Sequence, residues 1–473
     1  MNFHLGTDYK RMYNWGWSSA GLFGVGLWLS GCGYSVSPEP SPFPTASATT
    51  DDTLIIVTPH RREIQEEFER AFKAKYPSVS LRWESKAGTG DALRYVQQQF
   101  APKTFSTART QSIQRPPKKS SRADIFFGGG PESFLELEDE GLLQTLPSDY
   151  GVPPELNGVP LRSYNNRWVA AALSRFGILY NKTLATRQHL PLPATWADLG
   201  NPALRGHLEL ADPRRSGSAR VIYESILQLY GWDKGWQVLT AMAGNTSAFV
   251  NLSSTPLKDV TQGRAIFAPT VNFLAQSALE SSSLPTSSFK LGYIEPKGQQ
   301  VITPDPIGIL KGAPHPDLAR KFVDFVLSAQ GQNLWMFKKG SAGGPQKTNL
   351  YRLSVLPSHY QPLAAQSLVR LDPYAQFKVQ PYNSQKAAIR HKVLEDLIGV
   401  LLIENHTLLA QRWKCQPDAV RQTFVPVTEQ QVKNLAAQWG NPKFRASMMV
   451  LWRQALVRRF AKEARGGATS PLS

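Results

Sequence analysis

Between Thr53 and Leu143, short apolar runs alternate three times with segments of helical period, and few architectures satisfy that pattern. Thr53-Leu54-Ile55-Ile56-Val57 is continuous and closed by Thr58-Pro59, as a strand buried on both faces requires. Glu63 to Tyr76 follows, with Ile64, Phe68, Ala71 and Phe72 at helical spacing, and Pro77 stops it. Val79 to Trp83 alternates as a second strand. Gly88-Thr89-Gly90 then opens a helix over Asp91 to Phe100. Ala123 to Phe127 reads as a third strand, followed at once by Gly128-Gly129-Gly130 and a helix around Ser133 to Leu143. This order predicts an open α/β sheet. In such sheets ligands bind beyond the carboxyl ends of the strands, which selects the loops 58–60, 87–89 and 128–130.

A second set begins near Trp168. Val169 to Leu173 and Phe176 to Tyr180 read as two strands, and Leu208 to Asp212 as another. The last leads through Pro213-Arg214-Arg215-Ser216-Gly217-Ser218 into a long helix ending at Tyr230. Further strands are expected at 265–268, 291–294 and 307–310. Pro316 to Phe337 has helical periodicity, and residues 346–473 read as a mostly helical extension with Val393, Leu397, Val400 and Leu401 on one face.

The amino terminus predicts export. Lys10 and Arg11 precede an apolar stretch from Ala20 to Leu29, too short to span a bilayer, and Leu29-Ser30-Gly31-Cys32 follows. Those four residues resemble a bacterial lipobox, which implies cleavage after residue 31 and a diacylglycerol on Cys32. The alternative is a short buried helix that ends in a cysteine. Residues 32–52, rich in Ser, Pro and Thr, read as a flexible tether. No later stretch is long and apolar enough to cross a membrane. The two cysteines exclude a disulfide framework, and Cys415 is expected to be a small buried hydrophobe.

Charge raises other classes. The formal net charge is +17, which draws attention to nucleic acid, anionic membrane or an anionic small molecule. Six bases and no acid fall in the Pro/Ser-rich insert 101–122, and seven bases with one acid in 441–466. The rest is nearly balanced, so the charge marks a loop and a tail rather than a nucleic-acid module. The tail reads as a basic amphipathic helix that packs on the domain or rests near anionic headgroups.

Several stretches together resemble the type 2 periplasmic binding proteins, the solute receptors of ABC importers. They are the opening run to His60 with its Phe68/Phe72 helix; Phe176-Gly177-Ile178-Leu179-Tyr180-Asn181-Lys182; Pro193 to Leu199; Ala211 to Ser218; Thr303-Pro304-Asp305-Pro306-Ile307-Gly308; and Ala319 to Trp335. The resemblance covers about 53–345 and is nearest to the iron(III), thiamine, phosphonate and sugar-phosphate receptors. It implies an α/β fold of two lobes, one from 53–165 completed by about 300–345 and one from 166–299. It also implies an ABC permease as partner, an extracytoplasmic location with membrane attachment through Cys32, no nucleic acid, no cofactor and no catalysis.

The strongest local signal for a ligand is Arg214-Arg215-Ser216-Gly217-Ser218 between strand and helix. A helix start offers free N–H donors and partial positive charge, Gly217 allows close approach, and the serines and arginines add donors. The alternative is a plain N-cap with solvated arginines. Gly129, Gly130, Gly88 and Thr89 offer further donors or form only tight turns. Thr58 and His60 face the cleft if the fold is of this type. Asp305, between two prolines, either bonds a cationic group or caps the turn. Iron(III)-binding relatives carry adjacent tyrosines after the strand that here reads Ala265 to Ala268. This chain has Pro269-Thr270-Val271-Asn272-Phe273 there and no Tyr-Tyr pair, so Thr270 and Asn272 suit an organic anion or zwitterion better than iron. A secreted hydrolase is the rival class. It lacks support from a G-x-S-x-G elbow, an H-E-x-x-H pair or a Cys/His cluster.

Overall fold

A computed structural model describes residues 53–100, 122–252, 254–360, 366–375, 381–417 and 425–466. The signal segment, Cys32, the tether and residues 101–121 of the basic insert lie outside these. β1 (Thr53–Thr58) is apolar on both faces and is covered on both. Leu54 and Ile56 pack with α1 (Arg62–Lys75), while Ile55 and Val57 pack with α2 (Thr89–Phe100) and α3 (Pro131–Asp139). β2 (Ser80–Ser85) and β3 (Ile125–Phe127) flank β1, both parallel to it. A small hairpin, β4 (Glu155–Leu156) and β5 (Val159–Pro160), forms a separate sheet.

The two strands expected at 169–180 are one, β6 (Val169–Asn181), 13 residues long. Its first part pairs antiparallel with β11 (Ile302–Ile309), up to Arg175 opposite Ile302. From Phe176 onward it pairs antiparallel with β9 (Phe267–Val271) and then β10 (Leu291–Ile294). Ser174-Arg175, the polar interruption in the apolar run, is thus where one strand changes partners and not where it ends. β9 lies parallel to β7 (Leu208–Ala211), and β7 parallel to β8 (Thr246–Val250). The sheet order is β2-β1-β3-β11-β6-β9-β7-β8. Sequence reading missed β8 because it is a short, half-exposed edge strand directly after a helix.

Around the β7–β9 half stand α4 (Lys182–Arg187), α5 (Gly217–Tyr230), α6 (Trp232–Asn245), α7 (Ser254–Thr261) and α8 (Asn272–Ser282). α9 (Pro316–Leu327) and α10 (Ala329–Met336) cover the β1 half, sharing a core with α1. The extension is not helical from its start. Leu350, Leu353 and Val355 run extended into the α9–α10 core, and Leu353 bridges to Leu173. Helices resume with α11 (Ser384–Ile398), a π-helical turn (Gly399–Ile403), α12 (His406–Cys415), α13 (Glu429–Ala436) and α14 (Pro442–Gly466). These join the core of the β7–β9 half through Val393, Leu397, Val400, Leu401 and Trp452. The basic tail helix α14 packs on the domain: Arg445 binds Asp396 at 2.6 Å and Arg453 binds Glu404 at 2.5 Å, while Val450 and Leu451 stay exposed. Cys415, expected to be buried, is exposed at the end of α12. No described helix is long and apolar enough to cross a membrane.

Candidate functional site

The parallel strands of both halves end at one cleft of about 160 Å3. β1 delivers Pro59, His60 and Arg61; β2 delivers Gly88 and Thr89; β3 delivers Gly129 and Gly130. From the other half, β7 delivers Arg215 to Ser218, β8 delivers Leu252 and Ser254, and β9 delivers Val271 and Phe273. Each strand is followed by a helix, so α1, α2, α3, α5, α7 and α8 all begin at the cleft. The first turn of a helix carries N–H groups without intrahelical partners and a partial positive charge. Three of these starts, at Arg61, Gly130 and Val271, have no side-chain cap to take those donors. At α5 the capping alternative holds for Ser216, whose Oγ accepts from Ala219 N at 3.1 Å. Gly217 and Ser218, the first two residues of α5, line the cleft beside it.

Glycine lets the two sides meet. A Cβ on Gly88 would lie 2.5 Å from the Arg215 carbonyl oxygen, and one on Gly217 would lie 2.8 Å from Thr89 Oγ1. Gly128 has a positive φ of 87°, and a Cβ there would strike the His60 imidazole.

That imidazole is buried, edge-on to Phe127 at 4.6 Å between centroids, and its Nε2 has no hydrogen-bond partner among the described residues. Burial, reinforced by the positive charge of Arg352, holds its pKa well below the ordinary value. His60 is therefore a neutral ring at the cleft wall. Arg352 is 2% exposed and lies over the Phe273 ring at 3.9 Å. Its Nη1 donates to Asp305 Oδ2 and, at 3.0 Å, to Ser174 Oγ, while its Nε has no partner among the described residues. Ser174 Oγ in turn donates to Asp305 at 2.7 Å. Asp305 lies within β11 just before a register shift. Its partner is a protein arginine, so it does not act as a turn cap.

Of the residues singled out from sequence, His60, Gly88, Thr89, Gly129, Gly130, Arg215, Ser216, Gly217, Ser218 and Asp305 line this cleft. The other four lie away from it. Thr58 is buried, its Oγ1 donating to Phe127 O at 2.7 Å and accepting from His60 N at 3.0 Å, which shapes the loop. Arg214 turns to the protein body, bound by Asp212 at 2.7 Å and Glu404 at 3.5 Å. The hydrogen bonds that Arg214 donates to Asp212 raise its pKa, and burial, which opposes the charge, does not outweigh them. Thr270 is buried within β9. Asn272 ties β6 to the extension, accepting from Arg175 N at 2.8 Å and donating to Tyr351 O at 3.0 Å. Sequence reading missed Arg352, Ser174, Phe273 and Thr303, which line the cleft too. The polar break at Ser174 and the lone Arg352 between Leu350 and Leu353 were the available signals. Among the described residues no set of His, Cys, Asp or Glu gathers as metal ligands. Asp305, the one carboxylate at the cleft among the described residues, is already bound to Arg352.

The sequence matches the profile described as bacterial extracellular solute-binding protein over residues 120–350. It is 25% identical over 347 residues to the phosphoglycerate transport regulatory protein PgtC of Salmonella typhimurium, covering 70% of this chain and 81% of that one. The fold superposes on AfuA of Actinobacillus pleuropneumoniae with fructose-6-phosphate bound, with a TM-score of 0.57, 20% identity and coverage of 76% and 97%. Iron-bound HitA from Pseudomonas aeruginosa gives 0.55, 18% identity and coverage of 73% and 99%. With parallel strands from two halves ending at one cleft, residues 120–350 match the bacterial extracellular solute-binding proteins, the extracytoplasmic receptors that deliver a small solute to the permease of an ABC transporter.

Proposed function

We propose that the solute is a small organic anion or zwitterion bearing phosphate, phosphonate or carboxylate. The observation that carries this reading is the convergence of six helix starts on one cleft, three of them without side-chain caps. An anionic group among these donors gains charge-assisted hydrogen bonds with no lysine present in the cleft lining. Asp305, Ser174 and Thr303 give the opposite wall acceptors for a hydroxyl or ammonium group of the same solute. The relative named for phosphoglycerate transport supports a phosphorylated compound. We also propose that Cys32 carries the lipid that keeps the receptor at the membrane, on the strength of Leu29-Ser30-Gly31-Cys32.

Thermal-shift screening followed by calorimetry tests the solute class. A ligand at a hundredfold its Kd adds about 2.7 kcal/mol of stability. 3-Phosphoglycerate, fructose 6-phosphate or a phosphonate is expected to give that response. Stabilisation by iron(III) with carbonate and by none of the organic anions overturns the reading. For the anchor, metabolic labelling with a fatty-acid analogue is expected to mark the parent chain and not Cys32→Ser.

A further inference from the structure

The α3 and α5 starts face the cleft from opposite halves, and a third helix joins them. α11 shares an apolar cluster with the α5 side. It is fixed there by Arg390, 0% exposed, whose Nη2 donates to Glu224 at 2.7 Å, and by the ion pair of Glu395 with Arg220. From this anchorage the same segment reaches across to α3. Tyr382, just ahead of α11, donates from its hydroxyl to Glu132 Oε1 at 3.1 Å. Lys392 Nζ donates to Glu136 Oε1 at 2.6 Å, and His391 Nε2 lies 3.6 Å from the other oxygen. Burial opposes ionisation of Glu136, but the nearby His391 ring and the hydrogen bond from Lys392 outweigh it and bring its pKa to about 2. Glu132 lies in the first turn of α3, two residues beyond the cleft-lining N-cap Gly130. The contact is therefore made at the end of α3 that faces the solute. α11 and Tyr382 lie beyond the family-matched residues 120–350.

We propose that Tyr382 and α11 form a latch whose contacts with Glu132 and Glu136 hold the α3 and α5 starts at the spacing at which both reach one solute. Tyr382 and Lys392 are thus positioning residues, and solute residence is set outside the cleft. The consequence for residence rests on the cleft reading above; the latch itself does not. Opening by hinge motion requires these contacts to break.

The test uses the full chain with Cys32→Ser and Cys415→Ser, and spin labels at Lys75→Cys and Lys234→Cys, exposed positions on α1 and α6. Pulsed electron paramagnetic resonance without solute is expected to give one narrow distance for this parent. Tyr382→Phe with Lys392→Glu is expected to add longer distances, and Lys392→Arg to keep the parental one. Lys392→Glu alone, at a half-exposed site, serves if the double variant does not fold. Stopped-flow dissociation of 3-phosphoglycerate or fructose 6-phosphate is expected to quicken about threefold to tenfold with association unchanged. A folded variant with the parental distance distribution overturns the latch. If neither compound binds the parent, the solute reading falls, and the distances still decide the latch.

Discussion

Arg214 and Arg352 each bind an aspartate, in different surroundings. Arg214, on the loop before α5, is about a third exposed and points with Asp212 and Glu404 toward the extension. Arg352, on the extended segment after α10, is sealed between Phe273 and Trp335 and shares the cleft wall with Asp305 and Ser174. A solvated pair contributes little to stability, whereas a buried pair is costly to break because one charge is left without compensation. Proximity to the cleft in sequence is thus a poor guide to which arginine a solute meets.

The sharpest test replaces each arginine in turn. Arg352→Met strands Asp305 and is expected to cost about 3–5 kcal/mol in urea unfolding, with loss of solute affinity by calorimetry. Arg214→Met leaves the buried Asp212 without its partner but opens to solvent on the arginine side, and is expected to cost about 1–3 kcal/mol while leaving affinity within about threefold. Equal loss of affinity in the two variants would break the contrast. Next in size, Gly88→Val forces the backbone away from Arg215. It is expected to cost about 1–3 kcal/mol of binding, read as a rise in Kd for 3-phosphoglycerate, with the fold retained. Ser216→Ala removes the cap beside Arg214 and is expected to lower stability by about 1 kcal/mol in the same urea assay.

The smallest effect concerns His60, next to Arg352. Its folded pKa lies below the ordinary 6.5, so the unfolded chain takes up the proton first. Stability is then full above that pH and falls as pH drops below it. Between pH 7.5 and 6.0 the His60 contribution is expected to fall, by an amount on the order of 1 kcal/mol at most. His60→Gln, compared with the parent at both pH values, is expected to remove that difference. An identical slope in both proteins would separate His60 from the Arg352 field.

Much of the α/β order was legible because β1 and β3 are short and apolar, β2 alternates, and helices follow all three. The loops at strand ends were legible for the same reason, since topology sends such loops to one edge. Legibility failed where a residue's role depends on distant chain. Ser174 in mid-strand and Arg352 in a presumed helical tail meet only because β6, β11 and the returning segment pack together. Thr270 within β9 and Asn272 just after it were expected to meet the solute, yet they face into the packing between β6, β9 and the extension.

The position of β11 bears on how the chain can assemble. Ile307 pairs with Phe127, and Leu353 with Leu173, so the sheet around β1 waits for residues made long after β3. Contacts so distant in sequence form slowly, because a large loop must close before they stabilise anything. A nascent chain emerging residue by residue therefore carries an incomplete first half, with the edge of β3 unpaired until Ile302–Ile309 has been made. Such a delay suits a polypeptide that has to be threaded across a membrane before it folds.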